Sequence, residues 1–336
     1  MDPKFINILC CPKNVGGLTL ENATFSKNGM IKDGLLRSTV DKNLTYPIIN
    51  GIPRFIGEES YSSNFGFEWK KWPRIQFESE NKGKPMEGRT RKMFDSITSF
   101  TSEKIKDKYV VEFGCGAGRF LDIVREKGGL AIGIDMSMAV EVARANFKDD
   151  HDVFIVQGDI LNPPFKKDVF DYGFSIGVFH HTPNPKMAVL KMTNSVKPGG
   201  EIAIRVYPKK SLYDYTSVYI FRNVNIFISK IFGKSIMRKP ALLYSYFSAY
   251  LLYPFLELVR KIPVLGYYTA RCVEKFVLVN VQLPDVNWRV LDVFDAITPE
   301  IASTHTAKEV TDWLTSAKLS NIKQTTNGNS FAGVKS

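Results

Sequence analysis

The sequence predicts an α/β fold built on a doubly wound, mostly parallel sheet, and three observations predict it. Apolar runs of strand length alternate with amphipathic stretches from about residue 106 to 207. A glycine-rich turn, Gly114-Cys-Gly-Ala-Gly118, follows the first run directly, and acidic residues stand at the ends of three successive runs. Such alternation argues for parallel strands joined by crossover helices.

The five runs read as strands at 109–113, 131–135, 154–157, 172–176 and 201–207. Further on, Thr306-Ala-Lys-Glu309 has the form of a capping box, with the hydroxyl accepting from the Glu309 amide and the carboxylate reaching back. It opens a helix to about Ala317. Extended runs at 321–325 and 331–335, separated by Asn327-Gly-Asn329, predict a closing antiparallel hairpin and bring the strands to seven.

Around this core, at 106–207, the chain divides by pattern. Residues 1–57 read as a β-rich module, with turn signals at Gly16-Gly17, Asn28-Gly29, Asp33-Gly34 and Asn50-Gly51. A polar connector with helices occupies 58–105, a helical insert 208–290, and the last helix and hairpin 291–336.

With 336 residues, 44% hydrophobic and 24% charged, the chain buries a core without disulfide or metal staples. Cys10, Cys11, Cys115 and Cys272 make no disulfide framework, and Met1-Asp-Pro-Lys-Phe5 lacks the features of a signal peptide, so the cytoplasm is the expected location. The formal charge of +11 is concentrated in the insert, where Pro208 to Trp288 holds eleven Lys or Arg against four acids, interleaved with nine Tyr and six Phe. That composition suits an anionic membrane surface or a phosphorylated substrate, and equally a solvated face around a helical cap. The uncharged run 240–256 is interrupted by Pro254 and carries Tyr and Ser hydroxyls, so it reads as buried or interfacial rather than spanning.

The chemistry concentrates at the strand ends. Glycines let the backbone turn tightly from strand to helix and approach a ligand closely. Glu112, just before the turn, suits a cofactor with an ammonium group and disfavours a pyrophosphate, which points away from NAD. Asp135, in Gly133-Ile-Asp-Met-Ser137, is positioned to accept both ribose hydroxyls. In Gln157-Gly-Asp-Ile160, Asp159 can accept from an adenine amino group while Ile160 covers the ring.

With Val196-Lys-Pro-Gly-Gly200 added, these motifs resemble the class I S-adenosylmethionine-dependent methyltransferase family in order and spacing, over roughly 100 residues. The resemblance implies a Rossmann-like sheet and S-adenosyl-L-methionine as cofactor. Glu112 would meet the methionine ammonium and Gly114, Cys115, Gly116, Ala117, Gly118 and Arg119 would wrap the methionine. Asp135 and Met136 would hold the ribose, Gly158, Asp159 and Ile160 the adenine, while Ser175 or Ile176 closes over the cofactor. The implied chemistry is in-line displacement at the sulfonium methyl, with His181 or His180 in Gly177-Val-Phe-His-His-Thr-Pro183 as candidate general base and His305 as a second. No metal is expected.

Residues 1–57 resemble the Trm112-like zinc-ribbon family through Ile8-Leu-Cys-Cys-Pro12 and Tyr46-Pro-Ile-Ile-Asn-Gly-Ile-Pro-Arg54. Asn14 stands where a second cysteine would be, and 38–42 contains none, so the module is expected to lack zinc. Ribbon, Phe65-Gly-Phe-Glu-Trp69, core, insert and Asp292-Val-Phe-Asp-Ala-Ile-Thr-Pro299 together look like a group of bacterial methyltransferases. A small-molecule acceptor methylated on oxygen or nitrogen is the leading expectation: a sugar, a lipid-linked or a phosphorylated metabolite. An RNA methyltransferase and a non-catalytic scaffold are the alternatives, and without an RRM, KH or clustered-arginine motif nucleic acid is not the expected partner.

Overall fold

The computed structural model describes residues 1–56, 63–211, 214, 216–263, 265–277 and 283–336. The boundary expected at residue 57 and the connector's first residues, 58–62, fall outside these.

After a two-turn 3₁₀ segment at Pro3–Ile8, β1 (Leu18–Phe25), β2 (Ile31–Ser38), β3 (Thr45–Ile49) and β4 (Ile52–Pro53) form an antiparallel sheet in that order. Asn28-Gly29 and Asn50-Gly51 turn as expected. Asp33-Gly34 does not turn but lies inside β2, beside a register shift in β1. A Cβ on Gly34 would stand 3.3 Å from Leu20 Cδ1 and 3.4 Å from Ala23 Cα, a close but near-ordinary contact. Where a zinc ribbon would hold metal, Asn14 Nδ2 donates to Ser38 Oγ at 3.2 Å and Cys11 Sγ lies 3.2 Å from the Tyr46 hydroxyl.

Four helices follow: α1 (Ser63–Lys71), α2 (Glu78–Asn81), α3 (Arg89–Thr98) and α4 (Ser102–Ile105). Then strand and helix alternate through β5 (Tyr109–Phe113), α5 (Arg119–Glu126), β6 (Leu130–Asp135), α6 (Ala139–Asn146), β7 (Val153–Gln157), β8 (Phe170–Ile176), α7 (Pro185–Ser195) and β9 (Val196–Arg205). Residues 196–200 belong to the start of β9, but they bulge there: Gly199 has φ of +78°, Phe170 and Tyr172 pair with Val196 and Glu201, and regular pairing with β8 runs from Glu201. The insert contains α8 (Thr216–Phe232), α9 (Lys234–Phe247), a wider π-type turn (Ser248–Leu252), α10 (Tyr253–Arg260) and α11 (Leu265–Phe276). The chain ends with α12 (Val286–Ile297), α13 (Ala307–Ser316), β10 (Leu319–Thr326) and β11 (Ser330–Lys335). The capping box of α13 is formed on both sides, Thr306 Oγ1 accepting from the Glu309 amide while Glu309 accepts from the Thr306 amide.

The large sheet has the order β10-β11-β9-β8-β5-β6-β7; β7, β6, β5, β8 and β9 run parallel, and the hairpin joins β9 antiparallel. This is the doubly wound seven-stranded architecture expected. All five residues of β7 and four of five in β5 are buried, as parallel strands covered on both faces require. The small sheet docks on the β7 edge: Phe5 stacks on Phe154 with ring centroids 4.9 Å apart, the Phe55 amide donates to the Gln157 carbonyl at 2.9 Å, and Arg54 Nη1 donates to Gln157 Oε1 at 2.7 Å.

Helices α9 and α10 form one continuous run, Lys234–Arg260, long and apolar enough by composition to cross a membrane. Pro254, which the sequence suggests as a break, sits in the first turn of α10 directly after the π-type turn, where a missing amide is tolerated. Met237, Ala241 and Val218 of α9 and α8 share a buried cluster with Val293, Phe294 and Ile297 of α12. The insert is thereby tied to the core through α12.

Candidate active site

At the carboxyl ends of β5, β6 and β8, and walled by α1, α3 and α12, lies a cavity of about 590 Å³. Ligands of open parallel sheets bind at this position. Two glycines shape its floor. Gly114 and Gly116 have φ of +85° and +52°, and a Cβ on them would stand 2.3 Å from Val178 Cγ1 and 2.8 Å from Trp69 Nε1. Backbone angle and crowding together demand glycine, and the crowding comes from Val178 and Trp69 closing over the turn.

Of the expected cofactor residues, Glu112, Gly114, Cys115, Gly116, Ala117, Arg119, Asp135, Met136, Ile160 and Ile176 line the cavity. Gly118, Gly158, Asp159 and Ser175 are not in its lining. Asp159 Oδ1 accepts from the Leu161 amide at 2.8 Å, and Ser175 is turned into the core, its hydroxyl donating to the Phe113 carbonyl at 2.8 Å. Ile160, the next residue along from Asp159, takes its place at the wall.

The charge of the lining is acidic on balance. Glu68, Glu112, Asp135, Asp292 and Asp295 face Arg89, Arg119 and Arg205. Glu112 is 2% exposed and its Oε2 accepts no hydrogen bond among the described residues. Burial pushes its carboxyl well above the usual range, Arg119 pulls it down, and Asp135 adds to the rise. A buried carboxylate oxygen without a donor is costly unless a cation or donor meets it. Asp135 is better satisfied: Oδ1 accepts from the Ser137 amide and hydroxyl at 2.8 and 2.7 Å, and Oδ2 from the Gly116 amide at 2.9 Å. Three of its roughly four acceptor positions are thus occupied. The remaining position is on Oδ2, beside the Gly116 amide.

A second group of ionisable residues meets the same cavity from the helices. Burial raises Glu68 well above the usual carboxyl range, neighbouring Asp295 adds to this, and Arg119 opposes it. Burial pushes Asp295 up to about 6, while the Tyr207 hydroxyl, donating to Oδ2 at 3.3 Å, and Arg119 hold it down. Arg119 is itself pushed down to about 10 by burial, against the pull of Glu112, Asp295 and Glu68. On α12, Trp288, Leu291, Asp292 and Asp295 recur at helical spacing and line the wall together.

The histidines separate. His181 lines the cavity, with Nδ1 2.8 Å from the Ile301 carbonyl. Because a carbonyl only accepts, Nδ1 carries the proton and Nε2 keeps its lone pair. Burial lowers its pKa to about 4, so at neutral pH it is a weak proton acceptor. His180 stands outside the lining: it is fully buried, stacks on Tyr207 at 3.6 Å, and its Nδ1 accepts from the Tyr207 amide at 3.3 Å. His305 is also outside, its Nε2 2.8 Å from the Ser303 hydroxyl and its ring edge-on to Trp313. Neither of these two is placed to act as the base, and His180 instead fixes the ring of Tyr207.

Sequence reasoning quoted Glu68, Asp292 and Asp295 only within longer motifs, assigned them no role, and did not single out Tyr207. A signal was available: Asp292 and Asp295 are acids three apart on a helix whose second half is otherwise apolar, a costly pattern unless that face meets a site.

Residues 111–204 match the family model described as a methyltransferase domain. A tRNA U34 carboxymethyltransferase of Tolumonas auensis is 31% identical over 106 residues, covering 30% of this chain and 32% of that protein. A demethylmenaquinone methyltransferase of Staphylococcus saprophyticus is 35% identical over 111 residues, covering 32% of this chain and 47% of that protein. The chain therefore spans about a third to a half of the length of these curated relatives. A SAM-dependent methyltransferase structure from Thermotoga maritima aligns over 82% of this chain and 98% of its own, at 15% identity and a TM-score of 0.42. Strand order, glycine turn and strand-end acids thus fall within or beside residues 111–204, the stretch that is similar to the methyltransferase domain family, and S-adenosylmethionine is the methyl donor this match implies.

Proposed function

We propose that the chain is an S-adenosylmethionine-dependent methyltransferase acting on oxygen or nitrogen of a compact small molecule, uncharged or cationic at its reacting end, with Asp295 as general base. The observation that carries this is the cavity wall, in which five acids outnumber three arginines alongside Trp69, Trp72 and Trp288. In low dielectric, such a wall favours a sulfonium cation and disfavours phosphate.

The residues suit the cofactor. Glu112 offers its unpartnered Oε2 to the ammonium, Arg119 its guanidinium to the carboxylate, Asp135 its remaining acceptor position to a ribose hydroxyl, and Met136 and Ile160 apolar contact to the adenine. When bound, S-adenosylmethionine supplies an electrophilic methyl group. The protein's part is orientation and proton removal. Asp295, ionised above about pH 6, accepts the proton leaving the acceptor's O–H or N–H, and the Tyr207 hydroxyl holds the receiving carboxylate in place.

A second reading, methylation of RNA, draws support from the tRNA-directed relative and from the +11 charge. The acidic wall argues against it. Calorimetric titration with S-adenosylmethionine, with NAD as control, tests the cofactor: micromolar binding of the first alone is expected, and no binding or equal binding overturns the proposal. Transfer of labelled methyl to a small-molecule extract, in parallel with total tRNA, tests the acceptor. Label in the RNA fraction alone sinks the small-molecule reading.

A further inference from the structure

The outer face of the insert is apolar where solvent would favour polar residues. On α9, the π-type turn and α10, Ile236, Leu243, Phe247, Leu251, Phe255 and Leu258 are exposed, Leu243 at 72%. Their spacings of seven, four, four, four and three residues form one helical stripe. On α8, Ile220, Phe227 and Ile231 repeat the pattern, with Phe227 at 64% exposure. Both stripes lie about opposite the buried residues: Ile220 and Phe227 each follow a buried position, Val218 or Asn225, by two residues, roughly 200° around the helix. Helix α9 thus sets one side against α8 and α12, α10 sets Leu256 against Ala270 of α11, and both leave the striped side unpartnered among the described residues. Only 22% of the most apolar window of 234–260 is buried, so this is no ordinary core helix.

The charge around the stripes is of one sign. From Thr216 to Ile262 there are seven Lys or Arg and a single acid, Glu257, which Arg260 engages at 2.5 Å. Lys230, Lys239 and Lys261 are exposed among the apolar residues, and Tyr219, Tyr246 and Tyr250 stand with them. Long lysine stems can lie along apolar surface with the ammonium at its rim.

We infer that this face of α8, α9 and α10 docks on an anionic lipid bilayer, lying in the interface with its Leu, Ile and Phe side chains in the acyl boundary and its lysines on the headgroups. The pattern of exposed apolar side chains, basic rim and tyrosines is that of interfacial helices. Crossing the bilayer is excluded by the inner face: Met237, Ala241, Ser245 and Ala249 are buried against protein. A second copy of the chain is the weaker occupant, because a symmetric dimer would bring two sets of lysines together without acids to pair them.

Co-sedimentation of the full chain with phosphatidylglycerol vesicles, and with phosphatidylcholine vesicles as control, tests the inference. Binding to the anionic vesicles alone is expected, weakening between about 0.1 and about 0.5 M salt and dropping about fivefold for each of Lys230, Lys239 or Lys261 replaced by Gln. The double substitution Phe227→Glu with Leu243→Glu is expected to reduce it at least about tenfold with no change in melting temperature. Wild-type protein left in the supernatant, or a double variant that binds as before, overturns the proposal. So does a lipid-free dimer, seen by sedimentation, that the double variant dissociates: the face then belongs to a second copy.

Discussion

The cavity wall and the outer face of the insert are both aromatic and apolar, yet they carry charge of opposite sign and treat it in opposite ways. In the cavity, acids predominate and are buried, so the carboxyls of Glu68, Glu112 and Asp295 titrate above the usual range. On the insert, lysines predominate and stay in water. Charge is costly only where solvent is removed, and a protein keeps that cost where a ligand of complementary charge relieves it. One helix divides the two regions: α12 turns Asp292 and Asp295 toward the cavity and Val293, Phe294 and Ile297 toward the insert.

Phe294→Ala is expected to have the largest effect, because Phe294 is fully buried between the two regions with Phe67 and Trp72 rings at 5.8 and 5.7 Å. A loss of about 3–5 kcal/mol is expected in denaturant unfolding, whereas the same truncation at exposed Phe227 should cost under about 0.5 kcal/mol. Equal costs would break the division between wall and face. Next comes Asp295→Asn, expected to lower kcat about 100-fold or more. Wild-type kcat/KM should rise with pH through about 6 as Asp295 ionises, and the variant should lose that limb; a pH–rate profile unchanged by the substitution removes Asp295 from the mechanism.

The smallest of the three is Glu112→Gln, expected to weaken S-adenosylmethionine binding about 10- to 100-fold in calorimetry. Its sign on stability is the opposite. A carboxyl raised in the folded state contributes stability below its ordinary pKa and loses it as pH rises through the raised value. The cofactor-free variant, spared that loss, should melt no lower than wild type at neutral and higher pH. A destabilised variant would mean that Glu112 has a structural partner instead.

How much of this the sequence revealed depended on how local the cause was. The strand centres, the glycine turn and the α13 cap arise from neighbouring residues, and they were legible. Asp33-Gly34 was misread because turn-forming residues also serve in strands, whereas at 196–200 the turn residues bend the chain inside β9, Gly199 at φ of +78°. Glu68 and Asp295, quoted only within longer motifs, were given no role because the first lies on α1 and the second on α12, and only the fold brings them to one cavity. His180 and His181 drew attention as adjacent imidazoles, yet adjacency put one at the wall and the other behind Tyr207.

The seam at β7 has a consequence for the order in which the molecule is made. Arg54 and Phe55 leave the ribosome about a hundred residues before Gln157, the residue they bind. Phe5, Ile31 and Ile48 of the first segment share one buried cluster with Phe154 and Val156 of β7, so the first segment's core is completed only when β7 arrives. The segment that closes the β7 edge comes from the same chain rather than from a neighbour, and the earliest residues guard that parallel edge.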